Sequence, residues 1–247
     1  MFGSVPKNLW NKQLPGDEQN RVLLAQRSLV IEMQDRCILI DVGMGEKWNQ
    51  KARDIYEINN SSFEDLKGKI TDVILTHLHF DHAGGISFYD QQNQLKPTFP
   101  GATVHIQKTN LKNAQNPNRK ERASYLPENV GALELYKVNE LQGECEIIKG
   151  VRAHLVNGHT QGQQWIEIQN GSEAVFFATD LIPTRHHVHP AYSMGYDMCV
   201  QTLMKEKEEF LKLAVERQAK IVFQHDPTIE AAKIKVDKKG NYDIAPA

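Results

Sequence analysis

Residues 76–85, THLHFDHAGG, place three histidines and one aspartate within six positions. Neutral imidazoles and carboxylates are the ligands of zinc, iron and manganese in proteins. His77 and His79 are spaced so that both can reach one ion from a loop, and Asp81 and His82 follow at once. This pattern predicts a metal site with ligands for two ions. A purely structural polar cluster is the alternative, and the cost of burying so many unpaired polar groups disfavours it.

Strands and helices that could position this motif are predicted from the apolar periodicity of the chain. Strands are expected at 21–33 and 36–41 as a hairpin, and at 71–76, 101–107, 147–156, 164–169, 174–178 and 221–223. A helix is expected to begin at 60–64. Further helices are expected within 108–128, beside a surface loop, and over residues 201–217. A last hairpin is expected to turn at 239–241. The motif therefore follows a strand end. This order favours an α/β (α+β) fold of mixed sheets flanked by helices, as a single domain over residues 1–247.

Composition limits the classes of partner. Lysine and arginine number 29 against 31 acidic residues, which argues against nucleic acid and anionic membranes as partners. No apolar segment approaches the roughly 20 residues that cross a bilayer, and the first residues lack the pattern of a secretory signal. The three cysteines are far apart and indicate small apolar groups in a reducing compartment. We expect a cytoplasmic protein that acts on a small neutral or weakly charged molecule.

The HxHxDH motif in this context resembles the signature of the metallo-β-lactamase superfamily, and the resemblance extends over nearly the whole chain. It implies a four-layer αββα sandwich and a dinuclear metal centre. Residues 158–160 resemble the family's third-histidine loop, Asp180 resembles its bridging carboxylate, and His225 resembles its last histidine. The resemblance implies that Asp180 is shared by two metals, of which one takes His77, His79 and His159 and the other takes Asp81, His82 and His225.

Such a centre predicts hydrolysis. Two divalent ions about 3.5–4 Å apart can hold a bridging hydroxide, because a metal lowers the pKa of bound water from about 15.7 to about 7. The hydroxide attacks, and the ions polarise the substrate oxygen and stabilise the leaving oxygen. Asp81 and Asp180 are the catalytic candidates, with Asp81 able to orient the hydroxide or carry a proton. Zinc is the expected metal, although iron, manganese and cobalt suit the same ligands.

Asp41 resembles the family's early aspartate at a strand end, which could accept a hydrogen bond from a ligating histidine. A turn aspartate before Gly43 explains the same residue equally well, since aspartate is common in turns. The sequence leaves both interpretations open.

The full set of ligands, with Asp180 present, differs from antibiotic-destroying members of the superfamily, which usually place a cysteine at the second metal. Three segments resemble the N-acyl-homoserine lactone lactonase and methyl parathion hydrolase-like branch: FGSVP at 2–6, DLIPTRHH at 180–187 and MGYD at 194–197. The resemblance implies a lactone or related ester as the substrate, with quorum quenching as the biological role. A homodimer is compatible with the sequence.

Pro183 departs from the pattern of this branch. Several lactonases carry a tyrosine there, three positions after the bridging aspartate, to bond the substrate carbonyl. Tyr192 and Tyr196 are substitutes if their loop folds over the site, and His187 could line the pocket or belong to a solvated loop. Aryl esters and phosphotriesters therefore stay open as substrates beside lactones.

Four other classes compete with a lactonase. A glyoxalase II-type thioesterase would need a basic C-terminal helical region, which the short stretch after His225 does not provide. An iron-dependent oxidoreductase would not need the second set of ligands. An RNA-processing nuclease would need a basic surface. A metal-stabilised binding module is disfavoured by the complete set of ligands.

Overall fold

The computed structural model of the protein describes residues 1–59 and 63–245, and the chain divides into two compact units. We call Gln26–Gln142 the central unit, and Met1–Ala25 with Gly143–Ala247 the terminal unit. Both combine helices and sheets, as expected for a mixed α/β chain. The single domain over residues 1–247 stays a prediction. Among the described residues, no helix is both long and apolar enough to cross a membrane.

The central unit contains a five-stranded sheet in the order β1-β2-β3-β6-β7. Its strands are β1 Leu29–Glu32, β2 Cys37–Ile40, β3 Asp72–Ile74, β6 Thr103–Gln107 and β7 Lys137–Leu141, and a separate hairpin pairs β4 Ser87–Tyr89 with β5 Leu95–Pro97. The helices are α2 Gln50–Tyr56, α3 Phe80–Ala83, α4 Lys108–Gln115 and α5 Pro127–Gly131, with 3-10 turns at Gly84–Ile86 and Ala132–Leu135.

Parallel pairing in this sheet determines the edge at which the motif of residues 76–85 lies. β1 and β2 form an antiparallel hairpin, whereas β2, β3, β6 and β7 run parallel. Every residue of β2 and β3 is buried, as expected for inner strands of a parallel sheet covered on both faces. Because parallel strands end at the same edge, Asp41 after β2 and Thr76 after β3 lie at one edge of the sheet.

The terminal unit contains a seven-stranded sheet in the order β14-β13-β12-β11-β10-β9-β8. Its strands are β8 Cys145–Ile148, β9 Val151–Val156, β10 Gln163–Asn170, β11 Glu173–Phe177, β12 Lys220–Val222, β13 Ala231–Val236 and β14 Tyr242–Ile244. β11 and β12 are parallel, and the other pairs are antiparallel. The helices are α1 Lys7–Trp10 and α6 Val200–Glu216, with 3-10 turns at Thr179–Leu181 and Arg185–Val188.

The long helix α6 follows the predicted amphipathic pattern. Phe210 and Leu211 on its apolar face are buried in one cluster with Phe176 of β11 and Ile221 of β12. The candidate ligands His159, Asp180 and His225 follow β9, β11 and β12, so their predicted position after strand ends is observed.

Several element boundaries differ from the predicted ones. The expected strand at 147–156 is two strands, because Gly150 turns the chain at a φ of 81°. The expected strand at 21–33 is regular only from Leu29. Of the helix start predicted at 60–64, residues 60–62 lie outside the described part of the chain, and residues 64–69 form turns. The last hairpin is confirmed as β13 and β14.

Candidate metal centre

Four candidate ligands follow β3 in the central unit. His77, His79 and His82 are almost fully buried, whereas the side chain of Asp81 retains 27% of its exposure. His77 Nε2 lies 3.1 Å from His79 Nδ1, and His82 Nε2 lies 3.5 Å from Asp81 Oδ2. The loop therefore brings these candidate ligands together in two pairs, and their binding of a metal stays a prediction.

Asp41 joins the β2 end to this loop. Its Oδ1 accepts a hydrogen bond of 2.8 Å from the Thr76 backbone N–H, and its Oδ2 accepts one of 2.7 Å from the Thr76 hydroxyl. The same Oδ2 lies 2.9 Å from His82 Nδ1. Asp41 has a φ of 55°, a left-handed conformation that aspartate tolerates better than most residues. It is thus both the turn residue and the partner of a candidate ligand, two interpretations that the sequence left open.

The glycines after His82 are required by close backbone packing. A Cβ built on Gly84 would lie 2.0 Å from the Met44 carbonyl oxygen, and one built on Gly85 would lie 2.1 Å from the Val42 oxygen. The Lys47 ammonium donates hydrogen bonds of 2.5 Å to the Gly84 oxygen and 2.7 Å to the Ser87 oxygen. Burial lowers the pKa of Lys47 to about 8, although Glu128 acts in the opposite direction. The loop carrying the ligands is therefore held by backbone contacts on both sides.

In the terminal unit, Asp180 lies between two histidines. Its Oδ2 is 3.0 Å from His159 Nε2, and its Oδ1 is 2.8 Å from His225 Nε2. Asp180 follows Thr179, which has a φ of 49°, and lies in the short 3-10 turn Thr179–Leu181 after strand β11. The two oxygens of this carboxylate therefore face two different imidazoles.

Each of these histidines has a second partner that orients its ring. Asp197 Oδ1 lies 2.8 Å from His159 Nδ1, and the Ala25 carbonyl oxygen lies 3.0 Å from His225 Nδ1. Burial lowers the pKa of His159, but the carboxylates of Asp180 and Asp197 outweigh it and raise that pKa to about 10. Surroundings that stabilise a proton on this imidazole also favour other cations at Nε2.

The loop of His159 is fixed to helix α6. The Glu206 carboxylate accepts hydrogen bonds of 2.7 Å from the Asn157 N–H and 2.9 Å from the Gly158 N–H. A Cβ on Gly158 would lie 2.4 Å from the Cα of Leu203, so only glycine fits at this contact.

The three residues predicted to contact substrate lie beside the N-terminal segment. The buried His187 stacks on Phe2 with 4.9 Å between ring centroids, and its Nδ1 lies 2.8 Å from the Thr184 hydroxyl. Burial, reinforced by Lys207, lowers the pKa of His187 to about 3. Tyr192 packs edge-on against Phe2, whereas Tyr196 is 53% exposed. Their contact with a substrate stays a prediction.

Two carboxylates at the site were not predicted from the sequence. Asp197 orients His159, and its only signal was its place in the segment MGYD, which carried a resemblance but no role. Glu121, buried, lies 3.8 Å from His79 Nε2, and nothing in the polar segment around it indicated a role.

The donor types in both units suit divalent ions. Imidazole nitrogens and carboxylate oxygens lie close together in each, and these are the ligands that zinc and related metals take. The Nδ1 atoms of four histidines each have a hydroxyl, carbonyl or carboxylate partner, which is the arrangement that metal-binding histidines adopt: His77, His82, His159 and His225.

Residues 21–225 match the sequence model of the metallo-β-lactamase superfamily, and the chain belongs to this superfamily. An N-acyl homoserine lactonase of Bacillus cereus is 25% identical over 158 residues, which cover 62% of this chain and 55% of the relative. The match thus spans about half the length of that relative.

Two solved structures have the same fold. A probable metal-dependent hydrolase from Staphylococcus aureus superposes with a TM-score of 0.87 and 25% identity, over 100% of this chain and 91% of its own. AidC, described as a dizinc quorum-quenching lactonase in complex with a product, superposes with a TM-score of 0.71 and 24% identity, over 91% of this chain and 80% of its own. The predicted superfamily and its fold are confirmed.

Proposed function

We propose that this protein is a dinuclear metal-dependent hydrolase that opens lactones or related esters. The observation that carries the proposal is the carboxylate of Asp180, whose two oxygens each lie within 3.0 Å of a different imidazole. By resemblance to the superfamily, the proposed ligands are His77, His79, Asp81, His82, His159, Asp180 and His225. Two zinc ions are the proposed cofactor.

The chain's own residues would each have one task in this centre. Bound divalent ions supply Lewis acidity and lower the pKa of water. Asp180 would hold two ions at a fixed separation. Asp41 and Asp197 would keep His82 and His159 in the tautomer that leaves Nε2 available for a metal. Asp81, the most exposed of the four candidates on its loop, would carry a proton to the leaving oxygen.

Lactones are the proposed substrate class because both the Bacillus cereus relative and AidC are described as lactonases. A small-molecule substrate, a cytoplasmic location and a homodimer complete the proposal as the sequence suggested it. Aryl esters and phosphotriesters are the second candidates, since Pro183 stands where a carbonyl-bonding tyrosine is expected and its own carbonyl accepts a hydrogen bond of 2.9 Å from the His225 N–H.

The test is proton release when a long-chain N-acyl-homoserine lactone is added to metal-loaded protein. We expect rapid release from the wild type, release below detection from Asp180→Asn, and wild-type release from Asp35→Asn, which alters an exposed aspartate in the β1–β2 turn. Equal release from wild type and Asp180→Asn would refute the mechanism. No release from wild type with two metals bound would exclude lactones and direct the search to aryl esters, phosphotriesters and thioesters.

A further inference from the structure

Phe2 packs against the segment of residues 184–197 in the terminal unit. The side chain is buried, and its ring stacks on the ring of His187 with 4.9 Å between centroids and 12° between planes. The ring of Trp10 also stacks on Phe2, at 5.7 Å and 10°, and Tyr192 packs edge-on at 6.3 Å. Phe2 therefore joins the first residues of the sequence to two aromatic side chains of this segment.

Hydrogen bonds hold the His187 ring in this contact. A carbonyl oxygen can only accept, so the Met1 carbonyl at 3.1 Å takes a hydrogen bond from the Nε2–H of His187. The Thr184 hydroxyl then donates to Nδ1 over 2.8 Å, because a neutral imidazole carries one proton. Both ring nitrogens of His187 are thereby used in joining the two segments.

Gly3 brings the two backbones into direct contact. A Cβ built on Gly3 would lie 2.7 Å from the carbonyl oxygen of Ser193 and 3.1 Å from its hydroxyl oxygen. Gly3 also has a φ of 48°, in the left-handed region that favours glycine. A side chain at this position would therefore displace Ser193, which is itself buried.

Ser193 directly precedes a turn that ends at a residue contacting a candidate ligand. The Met194 N–H donates a hydrogen bond of 2.6 Å to Asp197 Oδ2, and the Asp197 N–H donates one of 3.2 Å to the Met194 carbonyl. The other carboxylate oxygen, Oδ1, lies 2.8 Å from Nδ1 of His159. The contact at Gly3 thus lies one residue before the turn that carries the partner of His159.

The far end of this turn is bound to the loop of His159. The Cys199 N–H donates a hydrogen bond of 2.8 Å to the Gly158 carbonyl, and the Met198 N–H lies 3.1 Å from that oxygen and from the His159 oxygen. Because the turn and the loop hold each other, a displacement of either one changes the position of His159. Phe2 supports this pair from the side of Ser193.

We propose that Phe2 and Gly3 are positioning residues that hold the turn at residues 194–197, so that Asp197 keeps the His159 ring at the angle required for a metal. Displacements pass through close-packed side chains, because such side chains cannot shift independently. Loss of the outer partner of a ligating histidine typically lowers metal affinity about 10- to 100-fold. The inference rests on the metal centre of the proposed function and is independent of the substrate.

Zinc affinity tests this role without any turnover. Zinc would be titrated against a chromophoric chelator for metal-free wild type, Phe2→Ala, Asp197→Ala and the variant with both changes. We expect Phe2→Ala to weaken one of two zinc ions about 10-fold, and Asp197→Ala to weaken it about 10- to 100-fold. Because Phe2 acts through Asp197, the double variant should bind zinc as Asp197→Ala does. Leu9→Ala, at a 48% exposed position of α1, should bind as the wild type does.

Two results of this titration would overturn the inference. One is wild-type zinc affinity in Phe2→Ala, and the other is a double variant whose loss is the sum of the two single losses. Thermal unfolding of the metal-free proteins shows whether each variant folds. If an alanine variant does not fold, Phe2→Leu and Asp197→Asn decide by the same comparison.

Gly3→Ala tests the backbone contact separately from the ring of Phe2. The added Cβ should displace Ser193 and weaken the same zinc ion. Gly171→Ala is the matched control, since Gly171 has a φ of 60° and a Cβ there meets no atom within 4 Å. Both variants place alanine in the left-handed region, and only one of them meets a neighbour. Equal zinc affinity in the two variants would refute the role of Gly3.

Hydrogen exchange in the metal-free protein gives a readout that does not depend on zinc. Phe2→Ala should speed the exchange of the Asp197 and Met198 amides, whereas the amides of β11 keep their wild-type rates. Faster exchange throughout the terminal unit would show a general loss of stability and overturn the inference.

The inference and the proposed function fail in different ways. Two bound zinc ions with unchanged affinity in Phe2→Ala would refute the inference alone. Two bound zinc ions with the expected losses, but no opening of a lactone, would refute only the proposed substrate. Wild-type protein that binds no zinc would refute the proposed metal centre and the inference together.

Discussion

The candidate histidine ligands differ in their neighbours, and three of these neighbours are buried carboxylates. Asp41, Asp197 and Glu121 each lie beside a different candidate ligand, and each is at most 4% exposed. A buried carboxylate is costly unless it is paired, so these three acids indicate that the imidazole rings are held at fixed angles.

A buried lysine supports the segment that contains Asp197. Lys207 of α6 is fully buried, and its ammonium donates hydrogen bonds of 2.6 Å to the Tyr192 carbonyl and 3.3 Å to the His189 carbonyl. Burial lowers its pKa from 10.5 to about 7, although Asp197 acts in the opposite direction. Lys207 should therefore contribute to the pH dependence of the free energy of unfolding.

Replacement of Lys207 by methionine tests that dependence. Between about pH 7 and pH 10.5 the unfolded chain carries a proton on Lys207 that the folded chain lacks. The free energy of unfolding of the wild type should therefore rise with pH relative to Lys207→Met, by up to about 1.4 kcal/mol per pH unit. Urea unfolding at pH 7, 8 and 9 measures the difference, with Lys212→Met at an exposed position of the same helix as control. Parallel pH profiles for wild type and Lys207→Met would contradict the assignment.

At the scale of elements, helix α6 positions a ligand loop. Leu203 and Glu206 in its first half contact Gly158, the residue before His159. The amphipathic pattern predicts that this helix covers the sheet, and its buried face confirms it. Its second role, in fixing the loop after β9, depends on a contact that periodicity does not encode.

Gly158→Ala should separate the loop from the helix. The added Cβ would lie 2.4 Å from the backbone of Leu203, and overpacking of this kind typically costs about 1–3 kcal/mol. We expect a lower free energy of unfolding in urea and weaker zinc binding, because His159 moves with the loop. Gly195→Ala is the matched control, since a Cβ there meets no atom within 4 Å. Equal stability of the two variants would show that the loop adjusts without cost.

For the whole molecule, metal binding should add to the stability of the folded state. A ligand that binds only the folded chain stabilises it by about 2.7 kcal/mol at 100 times its Kd. For a chain of this size that corresponds to a rise in Tm of roughly 5–10 °C. Differential scanning calorimetry before chelation, after chelation and after zinc is restored should show a loss and its recovery. Asp180→Asn should show little of this rise in Tm. A wild-type Tm that is the same before and after chelation would argue against a metal centre in the folded protein.

The sequence predicted much of the fold and the ligand types for local reasons. Val73 and Ile74 form a buried apolar strand, and the residue types that follow it restrict the chemistry to metal binding. The turn at Gly150 was missed because apolar residues continue on both sides of it. Glu121 was missed because the sequence of a polar segment does not distinguish a buried acid from a solvated one.

By itself the sequence determined which donor atoms this protein has and that they stand at strand ends, since ligand chemistry belongs to the residue type and strand ends follow from periodicity. Only the tertiary structure decided which ring nitrogen of a candidate ligand is held by a hydrogen-bond partner. That choice depends on an outer partner such as Asp197, which is 38 residues from His159 in the chain and 2.8 Å from it in space. Contacts of this kind arise from packing between segments that are distant in the chain, and residue spacing does not predict them.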